Sequence, residues 1–134
     1  MSSFFMPVFR HHSDEGAIIG RIITGYGELE FVMSLCVGEA LNDRDLAMRV
    51  LFSLKSESAR IDLGESLSRN EIKANGLEAS YFEAVAAMRY CRALRNQYAH
   101  SHWAFFPKEG VFFSNMEEAA SSGQFLEGVM YFGD

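Results

Sequence analysis

Cys91-Arg92-Ala93-Leu94-Arg95-Asn96-Gln97-Tyr98-Ala99-His100-Ser101-His102-Trp103 is where this 134-residue chain changes character. Upstream of it, apolar residues recur with a helical period. Downstream, the pattern breaks into short extended runs. A guanidinium, a carboxamide and an imidazole, Arg95, Asn96 and His100, stand together at the changeover. Asn96 and His100 are four residues apart, so they share a helix face and can touch. Arg95 and His100 are five apart, about 140° around the axis. Those two converge on one ligand only if the long arginine swings over, or if the helix end tightens or frays.

Working back from this stretch, Ser13 or Asp14 can cap a first helix that runs to about Leu41. Ile19, Ile22, Ile23, Tyr26, Leu29, Met33, Cys36, Val37 and Ala40 mark its apolar positions. Gly16, Gly20, Gly25, Gly27 and Gly38 each cost helix stability, which points to close backbone approach or to a bend near Gly25-Tyr26-Gly27. A polar break over residues 42–45 precedes a short second helix to about Leu54, with Leu46, Val50, Leu51 and Leu54 inward. Ser56 or Ser58 opens a third helix with Ala59, Leu63, Leu67 and Ile72 inward, and Ala74-Asn75-Gly76 ends it. Ser80-Tyr81-Phe82-Glu83 has capping-box spacing, although Leu77 and Glu78 offer an earlier start. The fourth helix then runs through Phe82, Val85, Ala86, Arg89, Tyr90, Ala93, Leu94 and Gln97 toward His100.

Forward from the stretch, residues 103–106 and 111–114 read as two short strands around Pro107-Lys108-Glu109-Gly110, a loop suited to a hairpin. Residues 116–122 are polar and small, and residues 125–132 form a third strand or a packed tail. No repeat or linker interrupts the chain. The expectation is one domain over residues 1–134, with helices over about 13–100 and a hairpin and tail over about 101–134. Phe4, Phe5, Phe9, Phe105, Phe106, Phe112, Phe113, Phe125 and Phe132 crowd the ends, which should dock on the domain or on a partner.

The net charge of −6 argues against a general electrostatic grip on nucleic acid but leaves room for a local basic site. Arg89, Arg92 and Arg95 cluster in one segment, and arginine suits bidentate contact with phosphate. The plain alternative is that they cover a helix face and pair with Glu78 or Glu83. Arg60 lies beside an apolar stripe, as an internal ion-pair partner or a second phosphate contact. Glu28 and Glu30 read as solvated or arginine-paired, and His11-His12 as exposed surface. Cys36 and Cys91 sit in apolar helical contexts, as free buried thiols in a reducing cytoplasm. No Cys/His spacing suggests zinc, and neither a metal nor a cofactor is expected. The N-terminus lacks a signal-peptide pattern. The longest apolar tract is broken by Arg21, Glu28, Glu30 and Glu39, so no membrane span is expected.

Arg95-Asn96-Gln97-Tyr98-Ala99-His100 resembles the RNxxAH form of the motif of the HEPN superfamily, an arginine followed after four to six residues by a histidine. Its place at the end of the last long helix, and the hairpin after Ser101-His102-Trp103, are similar to several HEPN branches. The resemblance covers roughly residues 13–115 in helix order, and only the motif is specific at residue level. It implies a mainly α fold, an antiparallel four-helix bundle with a small C-terminal β-hairpin. It also implies a homodimer in which two motifs face each other across a composite cleft. Many members are metal-independent endoribonucleases found in toxin, abortive-infection and CRISPR systems. By that resemblance Arg95 holds the scissile phosphate, His100 moves a proton at the 2′-hydroxyl or the leaving 5′-oxygen, and Asn96 orients one of them. Arg92, His102 and Arg60 are the further candidates for RNA or phosphate contact.

The residue chemistry agrees with that assignment on its own terms. RNA carries its own nucleophile, so the protein needs only proton transfer and anion stabilisation. Some HEPN toxins carry a tyrosine two residues after the histidine, the target of a modifying antitoxin; His102 occupies that position here. The competing expectation is a non-catalytic HEPN-like module for dimerisation, nucleotide binding or protein interaction, with an antitoxin or another protein as partner. In a purely structural version, Arg95 and Asn96 close the helix and His100 stacks on Trp103.

Overall fold

Asp43 and Ser56 each start a helix by supplying an acceptor that the first turn lacks. Asp43 Oδ1 accepts from the Leu46 N–H at 2.9 Å, and Ser56 Oγ from the Ala59 N–H at 3.2 Å. The computed structural model describes residues 8–106, 108–122 and 129–132. The elements in order are α1 (Val8–His11), α2 (Ser13–Leu41), α3 (Arg44–Ser53), α4 (Glu57–Ala74), α5 (Glu78–Ala99), β1 (Ser101–Phe106), β2 (Gly110–Asn115), α6 (Met116–Ser122) and β3 (Val129–Phe132). The protein is mainly α, with a small antiparallel sheet in the order β1-β2-β3. None of the described helices is long and apolar enough to cross a membrane.

The chain forms two compact units. One comprises the residues up to Ile23 and those from Leu94 on; the other is Thr24–Ala93. In the Thr24–Ala93 unit, segments of α2, α3, α4 and α5 bury two apolar clusters. Tyr26, Met33, Ile61, Val85 and Met88 make the first, and Val37, Ala47 and Leu51 the second. The α2 boundaries match the expected ones, and of the expected inward positions on α3, α4 and α5, Leu51 and Val85 are buried while Leu63 and Leu67 pack against the second cluster; other positions differ. Leu46, Phe82 and Tyr90 are exposed, while Ala47, Ile61, Ser68 and Met88 are buried. On α4 polar groups also face other helices: the Ser68 hydroxyl meets Tyr81 of α5, and the Arg60 guanidinium meets Glu30 of α2. Ser68 Oγ donates to Gly64 O at 2.6 Å and lies 2.7 Å from Tyr81 Oη. Gly76, at φ 69°, ends α4 in the left-handed conformation that glycine tolerates.

Both cysteines are free, but Cys36 is exposed and Cys91 half-buried, not the buried pair expected. Arg89 and Arg92 of α5 reach across to α4 instead of pairing with Glu78 or Glu83. Arg89 contacts Asp62 at 2.7 Å and Glu65 at 3.2 Å, and Arg92 Nε lies 3.8 Å from Glu57.

Glycine supports close approach at some of the expected positions and not at others. A Cβ on Gly38 would stand 2.9 Å from the Arg44 Cα, whereas one on Gly25 would meet nothing within 4 Å. Gly38→Ala should therefore destabilise by about 1–3 kcal/mol, because a backbone atom cannot step aside. Gly25→Ala should stabilise by roughly 0.5–1 kcal/mol through helix propensity. Urea denaturation of the two variants checks the opposite signs.

Tyr81 gives a pH dependence. Burial pushes its phenol above the ordinary value, outweighing the opposing bond to Ser68. The folded chain thus keeps a proton that the unfolded chain releases at about pH 10. The resulting stability is complete below that pH and is lost as pH rises through the raised folded value. Tyr81→Phe should cost about 1 kcal/mol at neutral pH and flatten the alkaline decline, as followed by urea titrations at pH 7 and above 10.

In the other unit, α1 is a single short turn of helix ahead of α2, and the expectations on residues 1–7 and 123–128 lie outside the described residues. Val8, Ile19, Val111, Phe113 and Ala119 are buried. Around them, Trp103 meets Phe9 at 5.5 Å, Tyr98 at 5.7 Å and Phe113 at 4.9 Å between ring centroids. The predicted hairpin is present and longer than predicted, with Ser101 opposite Asn115 and Phe106 opposite Gly110. β3 adds a third strand along β2, with Val111 opposite Phe132.

Candidate functional site

The end of α5 sets the geometry. Ala99 is its last residue, and His100 follows as a turn residue whose N–H still donates to Asn96 O at 3.0 Å. His100 thus leaves the helix axis while held to the turn that carries Asn96. Ser101 Oγ donates to Gln97 O and Trp103 Nε1 to Tyr98 O, so two carbonyls of the last turn gain side-chain partners. The chain passes directly from this closed helix end into β1. Arg95 and Asn96 are half-buried in the last turn, and His100 and His102 are exposed.

Glu117 enters the site from α6. Its carboxylate lies 3.8 Å from His100 Nδ1, with the imidazole 50% and the carboxylate 77% exposed. At that distance the contact is a through-space pairing of charge and not a hydrogen bond. Glu117 stands on the Nδ1 side of the ring. Hairpin register explains the meeting: Ser101 pairs with Asn115, so the residues just before β1 and just after β2 come together. Asn115 Oδ1 then caps α6, accepting from the N–H groups of Glu117 and Glu118 at 3.1 and 3.2 Å. No local motif announces Glu117. The only sequence signal for it was the Asn-x-Glu-Glu start of a helix after a strand.

The remaining predicted contacts divide between the two units. Arg60 and Arg92 belong to the Thr24–Ala93 unit, and Arg95, Asn96, His100 and His102 to the other. Arg60 makes the internal ion pair of its two expected roles. Its NH1 donates to Glu30 Oε2 at 2.9 Å and its Nε to Leu54 O at 2.8 Å, with the guanidinium 5.3 Å above the Phe52 ring. Arg92 leans toward Glu57, and its Nε is buried with no hydrogen-bond partner among the described residues. His102 stands on the sheet, paired with Ser114. Trp103 takes Phe9, Tyr98 and Phe113 as ring neighbours, while His100 faces Glu117.

Among the described residues, no group of three or more His, Cys, Asp or Glu side chains is placed to hold a metal ion. Comparison with protein-family models, with curated proteins and with solved structures finds no match. The chemistry of this helix end therefore carries the functional reading.

Proposed function

We propose that the protein is a metal-independent endoribonuclease of the HEPN type, built on an antiparallel four-helix bundle and working as a homodimer. The observation that carries this reading is the solvent-open imidazole of His100. It sits one residue past α5, paired with Glu117 at 3.8 Å, one turn from Asn96 and Arg95. In the reaction, the 2′-oxygen of a ribose attacks the adjacent phosphorus and the 5′-oxygen of the next nucleotide leaves. The products are a 2′,3′-cyclic phosphate and a 5′-hydroxyl. His100 takes the 2′-hydroxyl proton, and a second copy facing it across the cleft supplies the imidazolium that protonates the leaving oxygen. The fork of Arg95 matches the equatorial oxygens of the charged intermediate, and Asn96 orients the imidazole or the phosphate. Two copies double the local positive charge, offsetting a chain charge of −6 at the cleft.

The test is cleavage of a labelled single-stranded RNA in EDTA, with the new ends identified as cyclic phosphate and 5′-hydroxyl. Absence of cleavage by a folded dimer removes the proposal.

A different observation favours a non-catalytic reading. Leu29, Val32, Met33, Cys36, Ala84 and Val85 line an apolar groove of about 150 Å³ on α2 and α5, and Val32 is 53% exposed. Such a groove suits a protein partner, such as an antitoxin or a second copy. Dimerisation without RNA binding, and without a shift of Arg95 resonances on adding phosphate, would select that reading. Growth of cells expressing the chain separates the two, because an active ribonuclease without its inhibitor is toxic.

A further inference from the structure

We propose that the outer face of the sheet is a stacking platform for an unpaired base of single-stranded RNA. The inference rests on the ribonuclease reading and extends it to the form of the substrate.

Strand alternation sends the side chains of β1 and β2 to two different faces. Val111 and Phe113 point inward, 2% and 5% exposed. His102, Ala104, Phe106, Phe112 and the buried Ser114 fall on the opposite face, and together with Phe113 they line a shallow depression of about 90 Å³. Phe106 is 52% exposed. Its ring is nevertheless held, 5.3 Å from that of Phe112 at an interplanar angle of 73°. An aromatic ring fixed by an edge contact while its surface stays open is the arrangement on which bases stack in single-strand binders.

Size and charge select the occupant. Six residues of strand give about 20 Å of length, and the β1–β2 pair about 10 Å of width. That face, roughly 200 Å², is well short of the roughly 800 Å² per partner of a stable protein interface. It is ample for one flat ring or two. None of the six lining residues is a carboxylate, in a chain of net charge −6. His102 is the one imidazole among them. A polyanion can thus approach here without meeting a negative side chain on the platform. Continuity with the site is built into the chain. His102 is two residues beyond His100, roughly 7 Å along the strand, and Phe106 lies about 13 Å further on. A strand of RNA with its scissile phosphate at His100 has its neighbouring nucleotides beside this face. Paired bases present no free ring surface, so the platform favours single-stranded over double-stranded RNA.

The test is equilibrium binding of a fluorescent 2′-O-methyl oligoribonucleotide, which lacks the attacking hydroxyl and reports binding without cleavage. The wild type should bind the single strand more tightly than the same strand annealed to its complement. Phe106→Ala should weaken binding by about tenfold or more, and Phe106→Trp should keep wild-type affinity. An unchanged melting temperature verifies that the alanine variant is folded. Wild-type affinity in Phe106→Ala, equal affinity for duplex, or no binding by the wild type each overturns the platform. So does a change of oligomeric state in Phe106→Ala, which would give the face to a protein. Failure of the ribonuclease reading has a different signature: the 2′-O-methyl strand is held in a Phe106-dependent way, yet natural RNA is never cut. Cutting of natural RNA with no dependence on Phe106 leaves the ribonuclease and removes the platform.

Discussion

His100→Ala is expected to lower the rate of RNA cleavage by about 10²- to 10⁴-fold, the usual worth of a positioned proton-transfer group. Its melting temperature should stay within a degree or two of wild type. The two halves of that expectation have separate origins. The rate loss follows from the chemistry: alanine at position 100 removes the imidazole that exchanges a proton with the ribose, and water must carry it. The unchanged stability follows from position. His100 lies outside the helix, is half exposed and meets Glu117 only at 3.8 Å, and substitutions of that kind usually stay within about ±0.5 kcal/mol. Glu117→Gln should cost no more than about fivefold in rate, since exposed charge pairs are worth about 0–1 kcal/mol. Single-turnover cleavage in EDTA, run beside thermal melts of each variant, measures both halves. Equal rates in wild type and His100→Ala would assign the cleavage to some other agent and end the catalytic proposal.

Arg60→Leu is expected to destabilise the fold by roughly 3–5 kcal/mol, lowering the melting temperature by roughly 10–20 °C. The carboxylate of Glu30 is only 10% exposed and the guanidinium of Arg60 18%. Removing the cation leaves a desolvated charge without its partner, which costs more than the pair itself contributes. Glu30→Leu should cost less, because the guanidinium keeps the Leu54 carbonyl at 2.8 Å and the face of Phe52. The double replacement Glu30→Leu with Arg60→Leu should recover much of the loss, because apolar residues of similar volume often replace a buried pair at little cost. Chemical denaturation of the four proteins in the cycle gives the coupling directly. Single variants that each cost under 1 kcal/mol would mean that water reaches the pair. The double variant also decides Arg60's second expected role: unchanged RNA affinity in it would leave no place for Arg60 as a phosphate contact.

The helix ends were the most legible part of this chain. Asp43, Ser56 and Asn75-Gly76 act through bonds to neighbours a few residues away, so their identity is enough to place a boundary. The helix faces were less legible. Leu46, Phe82 and Tyr90 look like core residues by type, yet all three are exposed. Apolar residues exceed what the interior of a small protein can hold, and a period alone does not say which stripe wins. On α4 the winning stripe carries Ser68 and is flanked by Arg60, polar groups whose partners, Tyr81 and Glu30, lie in other helices.

The candidate site divides along the same line. Sequence by itself determined the spacing of Arg95, Asn96 and His100, their position at the end of α5 and the hairpin that follows, because helical period and turn chemistry are local. Tertiary structure alone decided that Glu117 faces His100, that Arg60 is occupied by Glu30, and that Phe106 lies open on a sheet face. Each of these depends on residues far apart in sequence, brought together by strand register or helix packing.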